Sequence, residues 1–90
     1  MDTVSRQEIT PLVIAKIRSA GNLHSDPQEG DRLFEDLRMG PSIRRSLALS
    51  FSRISRQQNG GQTISGDEAE RLRTVAESID LVFRRANGRD

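Results

Sequence analysis

The feature that most constrains this chain is the spacing of its apolar residues. Ile43, Leu47, Phe51 and Ile54 recur at i, i+4, i+8 and i+11, with Ala48 and Leu49 beside them. An α-helix brings such positions onto one face. Ile9, Leu12, Val13 and Ile17 form a second stripe, and Leu72, Val75, Ile79, Val82 and Phe83 a third. No stretch alternates as a strand does, and no segment repeats. Three stripes must be buried against one another, so the fold class is all-α, a small helical bundle.

Start and stop signals set the bounds. Ser5-Arg6-Gln7-Glu8 has capping-box spacing, and Ala20-Gly21-Asn22 is a stop, which predicts a first helix over about 6–20. Thr10-Pro11 offers a rival start. A long connection follows from Gly21 to Gly40. It holds the turn residues Ser25-Asp26-Pro27 and Glu29-Gly30-Asp31. It also holds Leu33, Phe34, Leu37 and Met39, which are costly to leave in water, so it is expected to pack on the core. The second helix begins at Gly40-Pro41-Ser42 and ends at Gln58-Asn59-Gly60-Gly61. Ser65-Gly66-Asp67-Glu68 and Thr74-Val75-Ala76-Glu77 are two further capping boxes. They predict a short helix at about 66–72 and a last one at about 74–86. One continuous helix over 66–86 is the rival reading, because no Gly or Pro separates them. The expectation is three main helices, a short helix before the last, and a long packed loop between the first two. Residues 1–90 form one domain with an ordered core over about 5–86.

Composition limits what this bundle can do. A chain of this length buries only about two-thirds of its unfolded surface. Hydrophobic residues make up 33% and aromatics 3%, so there is little material for a deep cavity. Without cysteine there is no disulfide scaffold, thiolate nucleophile or cysteine-ligated metal. No apolar run approaches the roughly 18 residues that span a bilayer, and no signal-peptide core is present, so a cytoplasmic protein is expected.

Charge is distributed unevenly although the net value is +1. From Arg38 to Arg56 the charged residues are Arg38, Arg44, Arg45, Arg53 and Arg56. From Asp67 to Asp80 the acids Asp67, Glu68, Glu70, Glu77 and Asp80 stand against Arg71 and Arg73. The second helix is therefore basic and the following segment acidic.

Two stretches resemble the acyl carrier protein family, within a likeness running from about Glu8 to Arg85. Leu33-Phe34-Glu35-Asp36-Leu37 is similar to the family's Phe-x-Glu-Asp-Leu segment before its modified serine. Ile64-Ser65-Gly66-Asp67-Glu68-Ala69-Glu70-Arg71-Leu72-Arg73-Thr74-Val75 is similar to the family's third-helix segment. The resemblance implies a serine at the start of the second helix that takes a phosphopantetheine arm through a phosphodiester bond. The arm's thiol carries acyl groups as thioesters for a lipid or secondary-metabolite pathway. The serine at that place is Ser42, in Gly40-Pro41-Ser42-Ile43. The family's preceding aspartate is replaced by Pro41. A gapless count from Glu35-Asp36-Leu37 sets Pro41 itself at the serine position and aligns Leu47, Leu49 and Phe51 with the family's apolar positions. The implied partners are a phosphopantetheinyl transferase and acyl-processing enzymes. The family's second helix is acidic. Here Arg44, Arg45, Arg53 and Arg56 would instead meet acidic surfaces.

The other readings are a carrier-like interaction module without a working attachment serine, and a small DNA-binding regulator built on the basic helix. Net charge and scarce aromatics weigh against the last. An enzyme is not expected, since no nucleophile–base or metal constellation is visible. Ser46, Ser50, Ser52 and Ser55 read as solvated or small packing positions. The sole histidine, His24, reads as a loop residue. Glu35-Asp36 and Glu68-Glu70 read as capping or solvated carboxylates. Asp26, Glu29 and Asp31 lack the EF-hand pattern. A monomer is expected.

Overall fold

Helix formation follows the caps. In a computed structural model, which describes residues 4–59 and 61–88, the chain forms α1 (Arg6–Gly21), α2 (Pro41–Asn59), α3 (Gly66–Glu70) and α4 (Val75–Ala86). Ser5 caps α1 by accepting from the Glu8 N–H. Pro11 therefore lies inside the helix instead of opening it. Pro11 supplies no N–H to the Gln7 carbonyl. Next to it, the Thr10 hydroxyl donates to the Arg6 carbonyl at 2.8 Å. The helix closes in a Schellman motif, with Leu23 N–H on the Arg18 carbonyl at 3.0 Å and Asn22 N–H on Ser19 at 3.2 Å. The left-handed residue is Asn22, at φ 52°. At the far end of α2, Gly60 lies outside the described residues.

Residues 66–86 divide into two helices. Ser65 and Glu68 form a reciprocal capping box at α3. Thr74 caps α4 by accepting from the Glu77 N–H. The break is held open by the long loop. Leu33 N–H donates to the Arg73 carbonyl at 2.8 Å, and Arg32 bridges Thr74 in antiparallel fashion. Val75 and Ala76 donate to the carbonyls of Asp31 and Glu29 at 3.0 and 2.9 Å. These are donors that a helix start leaves without partners inside the helix, and the loop supplies them.

The loop is therefore part of the core. Leu33 and Met39 are fully buried and Leu37 partly so. Phe34 is not: it is 57% exposed, against the expectation that it packs inward. The loop coils through successive turns, with Arg38 at φ 60°, and this geometry turns Phe34 outward. Ile9, Val13 and Ile17 of α1 meet Leu47, Phe51 and Ile54 of α2 and Val75, Ile79 and Val82 of α4 in one cluster. Leu12 and Ile43, placed in the stripes by spacing, lie at the rim and are exposed. α4 packs on both α1 and α2, and α3 packs on α2.

One connection is unusually close. Residues 61–64 cross α2 where it carries Ser52 and Ser55. The Ser52 hydroxyl accepts from the Ile64 N–H at 2.8 Å and donates to the Ile64 carbonyl at 3.1 Å. Ser55 donates to the Gln62 carbonyl at 2.8 Å, and Gln62 N–H reaches the Arg85 carbonyl at 3.0 Å. Both serines are buried, and their hydroxyls satisfy backbone groups that a larger side chain would orphan.

The ion pair between Arg85 and Glu68 ties α4 to α3 and is the least exposed of the salt bridges among the described residues. Arg85 also donates to the Thr63 carbonyl at 3.0 Å. Glu68 is held down to about 2 from an ordinary 4.5, first by the Arg85 hydrogen bonds and also by the Ser65 backbone N–H. A lowered carboxylate contributes stability above its unfolded value, and loses it as pH falls from about 4.5 towards 2. The Glu68 side chain remains about a third open, so solvent screening brings the contribution to about 1–2 kcal/mol. Glu68→Gln is expected to lower urea-unfolding stability by that amount at pH 7. The difference from wild type should close near pH 2; a difference that persists there would assign the effect to packing.

Candidate functional site

α2 carries the expected attachment serine, and its first turn faces solvent. Pro41 is its first residue, with φ set for a helix and no N–H to lose. Ser42 follows and is exposed. Gly40, before the helix, has no side chain that could cap the first-turn N–H groups. The Arg44 N–H closes on the Gly40 carbonyl at 3.0 Å. An exposed hydroxyl thus stands among helix-start donors at the positive end of a 19-residue helix.

Beside it lies an open groove of about 340 Å³. Pro41, Phe34 and Leu72 form its apolar walls, and Arg44, Glu70 and Arg71 contribute polar ones. Arg44 organises this region. Its Nη1 donates to the Met39 carbonyl at 2.8 Å, its Nε donates to the Glu70 carbonyl at 3.0 Å, and the guanidinium stands 5.8 Å from the Phe34 ring centroid. One side chain so joins the loop, the start of α2 and the end of α3.

The four arginines of α2 have two different fates. Arg45 pairs with Asp67 at 2.6 Å and with Glu70 at 3.3 Å, both on α3. Asp67 first and Glu70 second push the Arg45 guanidinium further up, and Arg45 in turn holds the Asp67 carboxyl below its usual range. With Arg44 on backbone carbonyls, half of the basic face is used inside the molecule. Arg53 and Arg56 are exposed and have no ion pair among the described residues. The basic and acidic blocks of the sequence thus neutralise one another in part. Arg73 meets Glu77 at 3.5 Å, and Arg6 meets Asp80 at 2.7 Å and Glu29 at 2.8 Å.

The remaining sequence candidates separate. His24 is exposed, and its carbonyl accepts from Arg18 at 3.0 Å. Asp26 pairs with Arg18, Glu29 with Arg6, and Asp31 accepts from the Gln28 N–H. These three carboxylates thus have separate tasks. Asp36 accepts from the Arg32 N–H and side chain, which together hold it low, while Glu35 is exposed. Ser46 donates to the Ile43 carbonyl at 2.6 Å and Ser50 is partly buried.

The Arg44 hub lay beyond the sequence reading and has no local signature. Ser52 and Ser55, read as solvated or small packing positions, are buried. Only their bonds to residues 62–64 were not read, although two small residues at i, i+3 followed by a glycine pair are a pattern for close approach. No helix among the described residues is long and apolar enough to cross a membrane. The chain matches no family model, no curated protein and no solved structure.

Proposed function

We propose that the chain is an acyl carrier protein whose Ser42 holds a phosphopantetheine arm for a specialised lipid or secondary-metabolite pathway. The observation that carries this reading is the Ser42 hydroxyl, exposed in the first turn of α2 at the end of the long docked loop. The two resembling segments flank it, one in that loop and one across α3. The residues present fit the group. The hydroxyl is accessible, Gly40 leaves the helix start uncapped, and the adjacent positive helix end favours a phosphodiester. When bound, the arm supplies a thiol for thioester carriage. The chain's own part is to present the hydroxyl, keep the helix start rigid through Arg44, and offer a surface to a transferase and to acyl-processing enzymes in the cytoplasm.

A second reading has one observation of its own. Ile43, next to Ser42, is exposed, and the buried register of α2 begins at Leu47. This favours the gapless count, in which Pro41 takes the serine's place and the domain is an unmodified interaction module. Leu49, which that count also sets at an apolar position, is exposed and counts against it. Intact mass after incubation with coenzyme A and a broad-specificity phosphopantetheinyl transferase separates the two. A gain of one arm, lost in Ser42→Ala, is the expected result. An unchanged mass with several transferases would move the module reading to the front.

A further inference from the structure

The later turns of α2 carry charge that no ion pair among the described residues answers. Along α2, Arg45, Leu49, Ser52 and Arg56 fall on one stripe, with Arg53 to its side. Leu49 is 61% exposed, the most open large apolar side chain among the described residues. Between this stripe and residues 63–66 runs a groove of about 610 Å³, floored by Ala48 and Ile64. Its charge is unbalanced along its length. At one end Arg45 is answered by Asp67 and Glu70. At the other, Arg56 and the neighbouring Arg53 are exposed without an ion pair among the described residues. On α3 and α4, which pack on α2, Glu68 is paired with Arg85, Glu77 with Arg73 and Asp80 with Arg6.

We infer that this groove is a docking surface for an acidic amphipathic segment of another protein, with an apolar side chain against Leu49 and carboxylates on Arg53 and Arg56. The pattern of an apolar centre with a charged rim is that of a helix-in-groove contact. A nucleic-acid backbone would be tracked by a longer row of cations and would gain nothing from a central leucine. An anionic bilayer would call for a broader apolar face than Leu49 supplies. The surface lies along the middle and later turns of α2, and the inference stands whether or not Ser42 is modified.

The test uses the full chain carrying Ser42→Ala, so that modification plays no part. The probe is a short synthetic helix with leucines at i and i+4 flanked by glutamates, followed by fluorescence anisotropy. Binding is expected, with amide shifts in NMR spectra centred on Leu49, Arg56 and Ile64. Arg56→Glu and Leu49→Gln should each weaken it about tenfold or more, while Lys16→Glu on α1 leaves it unchanged. Circular dichroism of each variant checks that the fold is retained. Absence of binding, or equal binding by a peptide of the same charge with its leucines replaced by serine, would overturn the inference. So would tighter binding of single-stranded DNA or of phosphatidylglycerol vesicles that is lost in Arg56→Glu.

Discussion

Gly61→Ala is expected to destabilise the protein by about 3 kcal/mol, a large effect for a single methyl group. A Cβ at Gly61 would meet the Arg85 carbonyl oxygen and the Ser55 hydroxyl closer than any real contact, and Ala86 Cα at 2.6 Å. Two of these three obstacles are backbone atoms. Residues 61–64 would have to lift from α2 and α4. That would stretch the Ser55–Gln62 and Gln62–Arg85 hydrogen bonds and threaten the pairing of Ser52 with Ile64. In a domain of this size each kcal/mol moves the melting point by roughly 4–8 °C, so a fall of about 12–24 °C is expected in thermal unfolding. Gly30→Ala serves as the control, because nothing lies within 4 Å of that position. A melting point for Gly61→Ala within a few degrees of wild type would show that the crossing is looser than the contacts imply.

Phe51→Ala should be at least as damaging. Phe51 is fully buried and is the largest completely enclosed side chain among the described residues. Truncating such a residue removes transfer energy and leaves a cavity, together costing about 3–5 kcal/mol. Domains are stable by only about 5–15 kcal/mol, and a thin core places this one at the low end of that range. The variant is expected to be substantially unfolded at physiological temperature by circular dichroism. Leu49→Ala, two residues away on the same helix, should change stability by no more than about 0.5 kcal/mol, because its side chain is mostly in water. The pair separates the folding face of α2 from its outward face. Similar losses for both would contradict the placement of the core.

Fold and site differed in how much of each could be read in advance. The helices were legible because their signals are local. Ser5, Ser65 and Thr74 each accept from the backbone N–H three residues on, which is the contact their spacing encodes. The burial of Leu33 and Met39 followed from hydrophobicity. Phe34 went the other way because the loop's turns set its direction, and turn geometry is weakly encoded in residue type. The division of residues 66–86 was ambiguous for a related reason. The break is held by Leu33 N–H on Arg73, a contact across 40 positions that no local window contains. At the candidate site, Ser42 was visible as a helix-start serine, but its exposure was not. The split among the arginines was not. Arg44 and Arg45 look like Arg53 and Arg56 in sequence, and only the position of α3 against the early turns of α2 distinguishes them.

The two ends of the described chain meet. Val4 N–H donates to the Asn87 side-chain oxygen at 2.9 Å, and the Asn87 amide donates back to the Val4 carbonyl at 3.1 Å. In covalent terms, residues 4–87 form a ring lacking a single short closure. A few added residues would complete it, with any new ends opened away from residues 29–31, where the carbonyls of Glu29 and Asp31 hold the start of α4. The same adjacency means that the domain could be spliced into a surface loop of a host protein, its two attachment points already side by side.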